Sequence, residues 1–254
     1  KGYLQSAFPH QFPLIPGWDA SGTISAVGKN VRTFKVGDPV YAYCRKPVVH
    51  EGTYAEFVAF DAMHVAKKPS NISFGEAAAI PLAALTAWQA LFDFAHLKKG
   101  QSILIHAGAG GVGSFAIEFA KHAGAEVFTT CSEKNNPYVK KLGADHVIDY
   151  NKENFVNALK KIKKEGVDIV FDTVGGSTLE QSYAAVKPGG TLVTIVQRLG
   201  PEAGEKLNIR TGFVFVRPDG IQLKEIAKLI EQGIVKIPEV KELTLKDAKQ
   251  ALKL

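Results

Sequence analysis

The pattern of apolar and polar positions divides the chain into two parts that meet near residue 85. Before this point, short alternating runs rich in Gly, Pro and β-branched residues predict strands joined by turns. Beyond residue 100, short apolar runs alternate with longer stretches of helical periodicity, which is typical of a parallel sheet covered on both faces. The pattern therefore predicts a mostly β part followed by an α/β part.

Each part has its own predicted elements. In the first part we expect strands at Gly22–Val27, Pro39–Tyr43 and Thr53–Phe60, and a helical stretch from Phe74 to Phe94. In the second part we expect strands at 102–106, 126–130, 146–148, 167–171 and 190–195. The helices between them are expected at 112–123, 135–142, 152–164 and 178–186. A helix at Gln222–Gln232 and a strand at Val240–Leu243 complete the chain.

The most informative segment is a glycine-rich turn between a predicted strand and a predicted helix. It reads Ala107-Gly108-Ala109-Gly110-Gly111-Val112-Gly113. Gly108 permits the tight turn, Gly110 lets the backbone approach a pyrophosphate, and Gly113 lets the helix pack on the strand. The positive end of the helix then faces the diphosphate. This order of elements predicts a dinucleotide site formed by residues 108–113.

The loop after the next predicted strand bears on which dinucleotide is bound. NAD-dependent enzymes usually carry an acid about 20 residues beyond the glycine motif, where it binds the ribose hydroxyls. That count ends at Ser132, whose hydroxyl leaves room for a 2′-phosphate, and Lys134 offers the opposing charge. This arrangement predicts NADP(H). Two alternatives stay open: Glu133 acts as the ribose acid, or all three residues form a plain polar loop.

Composition narrows the class of protein. Of the 254 residues 46% are hydrophobic, and no apolar run is long enough for a membrane-spanning helix, so we expect no membrane insertion. The net charge of +6 comes from dispersed lysines, and the densest run, 160–164, lacks interleaved aromatics, so no nucleic-acid partner is expected. Two isolated cysteines, Cys44 and Cys131, predict a reducing, cytoplasmic compartment.

A series of motifs occurs in the order typical of one superfamily. They are Gly17-Trp18-Asp19-Ala20-Ser21-Gly22, Val27-Gly28, Phe34-Lys35-Val36-Gly37-Asp38, Gly52-Thr53-Tyr54-Ala55-Glu56-Phe57, the glycine turn, Leu142-Gly143-Ala144-Asp145, Phe171-Asp172-Thr173-Val174-Gly175-Gly176 and Lys187-Pro188-Gly189-Gly190. The series resembles the medium-chain dehydrogenases/reductases, and among them the zinc-independent quinone oxidoreductase (zeta-crystallin-like) branch.

The resemblance implies a domain organisation. It places a GroES-like, mostly β catalytic domain at 1–84 and a doubly wound Rossmann domain that binds NADP(H) at 85–217. The segment 218–254 is expected to return to the catalytic domain. The family pattern extends past both ends of this sequence, so we expect the fold to be incomplete at both termini, and the usual catalytic residues cannot be assigned. A homodimer is also implied.

The resemblance further indicates chemistry without a metal. Zinc alcohol dehydrogenases place a metal-binding His where this chain has Trp18, and an indole cannot ligate zinc. The four clustered thiolates of a structural zinc lobe are absent from the sequence, and Cys44 with His50 is the nearest approach to a ligand pair. We therefore expect hydride transfer from NADPH to an acceptor that is already electrophilic, either a quinone or the C=C bond of an α,β-unsaturated carbonyl. The alternative is an NADPH-binding structural or scaffold protein of the crystallin type with little activity.

Individual site residues also follow from the resemblance. Thr86 matches the family threonine near the nicotinamide, and Tyr150 matches the residue beside the adenosine 2′-phosphate. For each of them packing is the alternative role. Further cofactor contacts are implied for Thr173, Val174, Ile195 and Phe215. Tyr43 and Tyr54 are weak candidates for the proton donor, against the commoner role of a packed tyrosine.

Overall fold

The computed structural model describes residues 8–251. The chain forms two compact units. The first unit runs up to Leu85 and includes Arg217–Gly233 and the residues from Ile237 onwards. The second unit consists of Thr86–Val216 together with the short segment Ile234–Lys236. The glycine turn and every predicted cofactor contact belong to the second unit.

The elements are as follows. The strands are β1 (His10–Ile15), β2 (Asp19–Thr23), β3 (Pro39–Tyr43), β4 (Val49–Glu51), β5 (Val65–Lys67), β6 (Ser102–Ile105), β7 (Glu126–Cys131), β8 (His146–Asp149), β9 (Val167–Asp172), β10 (Val186–Thr194) and β11 (Arg210–Phe213). The α-helices are α1 (Phe74–Ala78), α2 (Pro81–Trp88), α3 (Gly111–His122), α4 (Asn136–Lys141), α5 (Phe155–Ile162), α6 (Gly176–Ser182), α7 (Gly220–Glu231) and α8 (Ala248–Ala251). None of the helices in the described range is long and apolar enough to cross a bilayer.

The first unit contains two small sheets. β1 and β4 pair in parallel, and an antiparallel sheet has the order β2-β3-β5. Tyr41 and Tyr43 of β3 are each about 1% exposed, so this strand lies at the centre of the unit. The hydroxyl of Tyr41 donates to the carbonyl of Leu223 on α7, with 2.6 Å between the oxygens. This hydrogen bond joins α7 to the sheet formed by β2, β3 and β5.

Two predicted strands of the first unit are wrong or displaced. The segment 53–60 is irregular, and Phe57 is 76% exposed. None of the described strands pairs with this segment. Without a partner strand, the backbone N–H and C=O groups of an extended segment are left to water, so a strand here is not stable. The strand expected at 22–27 begins earlier, because Asp19–Thr23 is the stretch that aligns with all five residues of β3.

Two other predicted elements of the chain also need correction. The helix expected from Phe74 to Phe94 is interrupted before Pro81, which opens α2. Proline has no N–H to donate and a φ suited to the first helical position, so it starts a new helix here. The strand expected at Val240–Leu243 is irregular, and no described strand runs beside it. The helix expected at 222–232 is confirmed as α7.

The second unit confirms the predicted α/β fold. Its parallel sheet has six strands in the order β11-β10-β9-β6-β7-β8, and helices connect successive strands. The strands predicted in this part are all present, because their apolar runs are buried on both faces of the sheet. Ile103, Leu104 and Ile105 of β6, for example, are fully buried.

The strand order reverses at β6, which pairs with β7 on one side and with β9 on the other. The chain leaves β6 through α3 toward β7, whereas the loop after β9 turns to the opposite side. In doubly wound sheets a crevice opens at such a switch point, beyond the carboxyl ends of the strands. The fold therefore places the glycine turn at the edge where ligands bind.

Candidate nucleotide-binding site

The glycine turn is tight and tied to its neighbouring strand. Ala107 has a φ of +50°, and the N–H of Gly110 donates to the Ala107 carbonyl over 2.9 Å. The N–H of Gly108 donates to the carbonyl of Thr130 on β7 over 3.1 Å. The left-handed conformation therefore lies at Ala107, one residue before Gly108, where the sequence predicts the tight turn.

The three motif glycines meet different surroundings. A Cβ on Gly108 would lie 2.0 Å from the Thr129 hydroxyl, so Gly108 allows the turn to sit against β7. A Cβ on Gly113 would lie 2.3 Å from the Ala107 carbonyl, so Gly113 allows α3 to approach the turn. At Gly110 the Ala107 carbonyl, at 3.2 Å, is the one described atom within 4 Å. That position is tight but less crowded than the other two, which fits a backbone that a pyrophosphate approaches.

The N-terminus of α3 suits an anion. Gly110 is the N-cap, with φ −80° and ψ 169°, and the first helical bond runs from Ser114 N–H to the Gly110 carbonyl over 2.9 Å. The N–H groups of Gly111, Val112 and Gly113 precede that bond, so they have no acceptor inside the helix. Together with the positive end of the helix dipole they match the chemistry of a diphosphate.

Most of the other predicted contacts lie along the same edge of the sheet. Each of them lies in the loop at the carboxyl end of a strand, and in a parallel sheet these loops share one edge. They are Ser132 after β7, Tyr150 after β8, Thr173 and Val174 after β9, Ile195 after β10 and Phe215 after β11. Thr86 lies within α2 and is only 5% exposed. That these residues contact a cofactor stays a prediction.

A cavity of about 430 Å³ opens at this edge beside the turn. Its size lies within the range of small-molecule sites. Its lining consists of His106, Ala107, Thr130, Tyr150, Glu153, Asn154, Phe155, Val174, Thr178 and Gln181. Of this set, only Tyr150 and Val174 are among the cofactor contacts predicted from the sequence. The others come from the end of β7, from loops, and from α5 and α6, whose approach to the edge no local pattern specifies.

Two buried polar groups organise the loops around the cavity. His106 Nδ1 lies 3.1 Å from the Thr130 hydroxyl, which also accepts the N–H of Ala107 over 3.1 Å. Asp172 accepts hydrogen bonds from the Gly175 N–H and the Thr194 hydroxyl, at 3.0 and 2.7 Å. His106 thus holds the start of the turn, and Asp172 holds the loop that carries Thr173 and Val174. The sequence marks His106 by its place directly after an apolar strand, where a polar side chain must find hydrogen-bond partners.

The loop after β7 presents charged and polar groups. The hydroxyl of Ser132 accepts a hydrogen bond from the Asn135 amide over 3.2 Å, which leaves its proton to be donated. Lys134 is exposed, and Tyr150 is 58% exposed. Glu133, the alternative ribose acid, forms an ion pair with Lys152, with 2.6 Å between Oε1 and Nζ.

The proton-donor candidates lie in the first unit. Tyr43 is 1% exposed, and burial raises the pKa of its hydroxyl to about 12, with the Asp19 charge adding to the rise and Arg45 opposing it. Its ring packs edge-on against Trp18, with 6.4 Å between the centroids. Tyr54 is 39% exposed. Neither observation assigns a donor role.

Metal ligands do not converge anywhere in residues 8–251, where no three His, Cys, Asp or Glu side chains could hold an ion. Cys44 Sγ donates weakly to the Ala42 carbonyl over 3.9 Å, and burial raises the pKa of this thiol to about 12. His50 Nδ1 instead contacts the Gln11 carbonyl at 3.2 Å. Each member of the Cys44 and His50 pair is therefore engaged separately.

Comparison with known proteins matches both parts of the chain. The model of the alcohol dehydrogenase GroES-like domain matches residues 2–70, and that of the zinc-binding dehydrogenases matches residues 111–217. The structure of Escherichia coli quinone oxidoreductase in complex with NADPH superposes with a TM-score of 0.86 and 29% identity, over 99% of this chain and 82% of that one. The chain belongs to the medium-chain dehydrogenase/reductase superfamily, in its quinone oxidoreductase-like branch.

Two curated relatives of this medium-chain dehydrogenase/reductase are named as an oxidoreductase and a reductase. The mitochondrial NAD(P)H oxidoreductase RTN4IP1 of Danio rerio is 36% identical over 261 residues, which cover 92% of this chain and 66% of that protein. The 2-methylene-furan-3-one reductase of Solanum lycopersicum is 38% identical over 231 residues, or 88% of this chain and 55% of that protein. The chain thus spans between about half and two thirds of their lengths.

Proposed function

We propose that the protein is an NADPH-dependent oxidoreductase that transfers hydride, without zinc, to a quinone or to the C=C bond of an α,β-unsaturated carbonyl. The observation that carries the proposal is the open edge of the parallel sheet. At this edge, α3 begins after β6, and the exposed Lys134 follows the neighbouring strand β7. The 430 Å³ cavity opens at the same edge. The residues present fit a phosphorylated dinucleotide.

Residues of this chain have distinct tasks in that site. The N–H groups of 111–113 bind the diphosphate, and Ser132 with Lys134 binds the 2′-phosphate. Asp172 holds the loop after β9 in place through the backbone of Gly175 and the hydroxyl of Thr194. Bound NADPH supplies the hydride. The protein's contribution to the chemistry is then position and the exclusion of competing reactions.

The residue types support an acceptor that needs no metal. Trp18 stands at the position of the zinc-binding His of the alcohol dehydrogenases, and its indole packs against Phe8 and Tyr43, with centroids 5.5 and 6.4 Å away. An indole cannot polarise an alcohol or a carbonyl as zinc does. Quinones and enones accept hydride readily once they are positioned, since their products carry the negative charge on oxygen.

The names of the relatives bear on the alternatives. A 2-methylene-furan-3-one reductase and an NAD(P)H oxidoreductase among them do not favour the binding-only alternative. The cytoplasmic location stays a prediction, because one of these relatives is named as mitochondrial. The homodimer also stays a prediction.

The test is turnover by the full-length protein. Consumption of NADPH should be followed by the loss of reduced-nicotinamide absorbance, with a panel of quinones and a panel of short enones. We expect turnover with at least one class, and equal rates before and after dialysis against a metal chelator. Absence of turnover with both panels, or loss of activity on chelation that zinc restores, would contradict the proposal.

A further inference from the structure

Glu133 and Lys152 leave the sheet side by side. In the register of β7 and β8, Cys131 is the partner of Asp149, so the two loops that follow start next to each other. Glu133 lies two residues beyond β7, and Lys152 lies three residues beyond β8. Their side chains meet with 2.6 Å between the Glu133 Oε1 and the Lys152 Nζ.

The backbone holds both partners of this pair. The N–H of Lys152 donates to the Asp149 carbonyl over 3.0 Å, and the N–H of Asn151 donates to the Asp149 carboxylate over the same distance. Glu133 begins a 3₁₀ turn, Glu133–Asn135, with Ser132 as its N-cap. The hydrogen bond with Glu133 is the largest cause of the raised pKa of Lys152, so the lysine stays charged in the pair.

The pair bears on which group the loop offers to an adenosine ribose. An unpaired Glu133 carboxylate next to Ser132 would repel a 2′-phosphate and accept a hydrogen bond from the 2′-hydroxyl of NADH. Paired with Lys152, the same carboxylate is offset by a positive charge, and Lys134 adds another positive charge to the loop. Glu153, which follows Lys152 in the sequence, forms an ion pair with Lys161, with 3.1 Å between Oε2 and Nζ.

We propose that Lys152 determines cofactor specificity: by holding Glu133 it converts a loop that carries a ribose-binding acid into one that accepts the 2′-phosphate of NADPH. The inference rests on the proposed function, because it presumes that a nicotinamide dinucleotide lies at this edge. Lys152 is a positioning residue in this account, since it acts through Glu133.

The first test is the affinity of Lys152→Ala for NADPH and NADH, measured by calorimetric titration. The freed carboxylate should weaken NADPH binding and strengthen or preserve NADH binding, so that the ratio of the two Kd values changes by roughly tenfold. Both side chains of the pair are exposed, at 59% and 68%, so the change should shrink as salt is added. An unchanged ratio, or equal weakening of both cofactors, would overturn the inference.

A rescue variant shows whether Lys152 acts through Glu133. In Lys152→Ala combined with Glu133→Gln the carboxylate charge is gone, and the preference for NADPH should return to that of the wild type. If the double variant still binds NADPH as weakly as Lys152→Ala, the lysine contacts the phosphate directly and the positioning role is wrong. Lys163→Ala is the matched control, because it breaks the 2.6 Å ion pair with Glu126 at the opposite end of β7 and should leave the ratio unchanged.

The experiment separates this inference from the proposed function. If the wild-type protein binds neither NADPH nor NADH, the proposed function fails. If it binds NADPH preferentially and Lys152→Ala keeps that preference, the role of Lys152 alone fails.

Discussion

His106 Nε2 and the Ser182 hydroxyl lie 2.9 Å apart, next to the glycine turn. The Ser182 hydroxyl lies 2.7 Å from the Thr178 carbonyl, which can only accept, so Ser182 donates there. It must then accept from His106, which places the imidazole proton on Nε2. The unprotonated Nδ1 accepts from Thr130, whose oxygen accepts the Ala107 N–H. One neutral tautomer satisfies the whole chain of hydrogen bonds.

His106 should therefore stay neutral, with its proton on Nε2, from pH 8 down to about pH 5. Burial lowers the pKa of its imidazole to about 4, although the Asp172 charge opposes this. Because the unfolded chain binds this proton more tightly, its contribution to stability is present above pH 6.5 and is lost as pH falls toward 4. Nitrogen NMR of the imidazole checks this, with His106→Gln to assign the signal. Titration near pH 6.5 would contradict it.

A buried carboxylate should make stability depend on pH in the opposite direction. Glu118 on α3 is 4% exposed, and its carboxylate accepts the Lys236 N–H at 3.0 and 3.2 Å. Burial raises the pKa of Glu118 to about 7, against the lowering effects of that hydrogen bond and of the Lys236 charge. The folded state binds this proton more tightly, so the stabilisation is present below pH 4.5 and is lost as pH rises through 7.

Glu118→Gln should remove that dependence. We expect the variant to be more stable than the wild type at pH 8 by roughly 1–3 kcal/mol, and to lose this advantage at pH 5. Denaturation at the two pH values measures the effect. Glu165→Gln, the same change at an exposed site, is the control. An advantage of Glu118→Gln that is equal at both pH values would show that the carboxylate does not titrate.

The second unit was largely predictable from the sequence because its strands are buried on both faces and must be apolar throughout. The first unit was less predictable. β4 and β5 have three residues each, too few for a periodic signal, and β1 is exposed along its whole length, so nothing in its pattern marks a buried face. The segment 53–60 shows the converse error, since it has the composition of a strand and lacks a pairing partner among the described residues.

Substitutions at two glycines of the turn should have different effects, one mainly on stability and the other mainly on cofactor binding. A side chain at Gly108 meets the Thr129 hydroxyl at 2.0 Å and Ile117 at 2.8 Å, so Gly108→Ala should destabilise the protein by about 1–3 kcal/mol. Gly110→Val should cost about 1 kcal/mol, because valine is a weaker N-cap and its Cβ would lie 3.2 Å from the Ala107 carbonyl, and it should abolish the binding of NADPH and NADH. Denaturation and calorimetric titration of both variants test this. Retained affinity in Gly110→Val would place the cofactor elsewhere.

Lys134 should contribute to the affinity for NADPH alone. Lys134→Ala removes one charge-assisted contact to the 2′-phosphate, so NADPH binding should weaken by about 1.5–3 kcal/mol while NADH binding hardly changes. Lys140→Ala on α4 removes another exposed charge and serves as the control. If Lys134→Ala weakens both cofactors equally, this lysine does not contact the phosphate.

The candidate site was predictable where its residues form one local motif, and not where they come together through the fold. Gly108 to Gly113 act within one strand–turn–helix unit, so their spacing carried the information. The partner of Glu133 depends on the register of β7 with β8, which places Lys152, 19 positions away, within 2.6 Å. The hydrogen bond between His106 and Ser182 likewise depends on α6 reaching the end of β6.

A crystal structure of the full-length protein with NADPH would show where the cofactor binds. We expect the diphosphate at the N–H groups of 111–113, and the 2′-phosphate beside Ser132, Lys134 and Tyr150, with no metal near Trp18. A cofactor bound elsewhere would contradict this expectation, as would a ribose held by the Glu133 carboxylate or a zinc ion beside the nicotinamide.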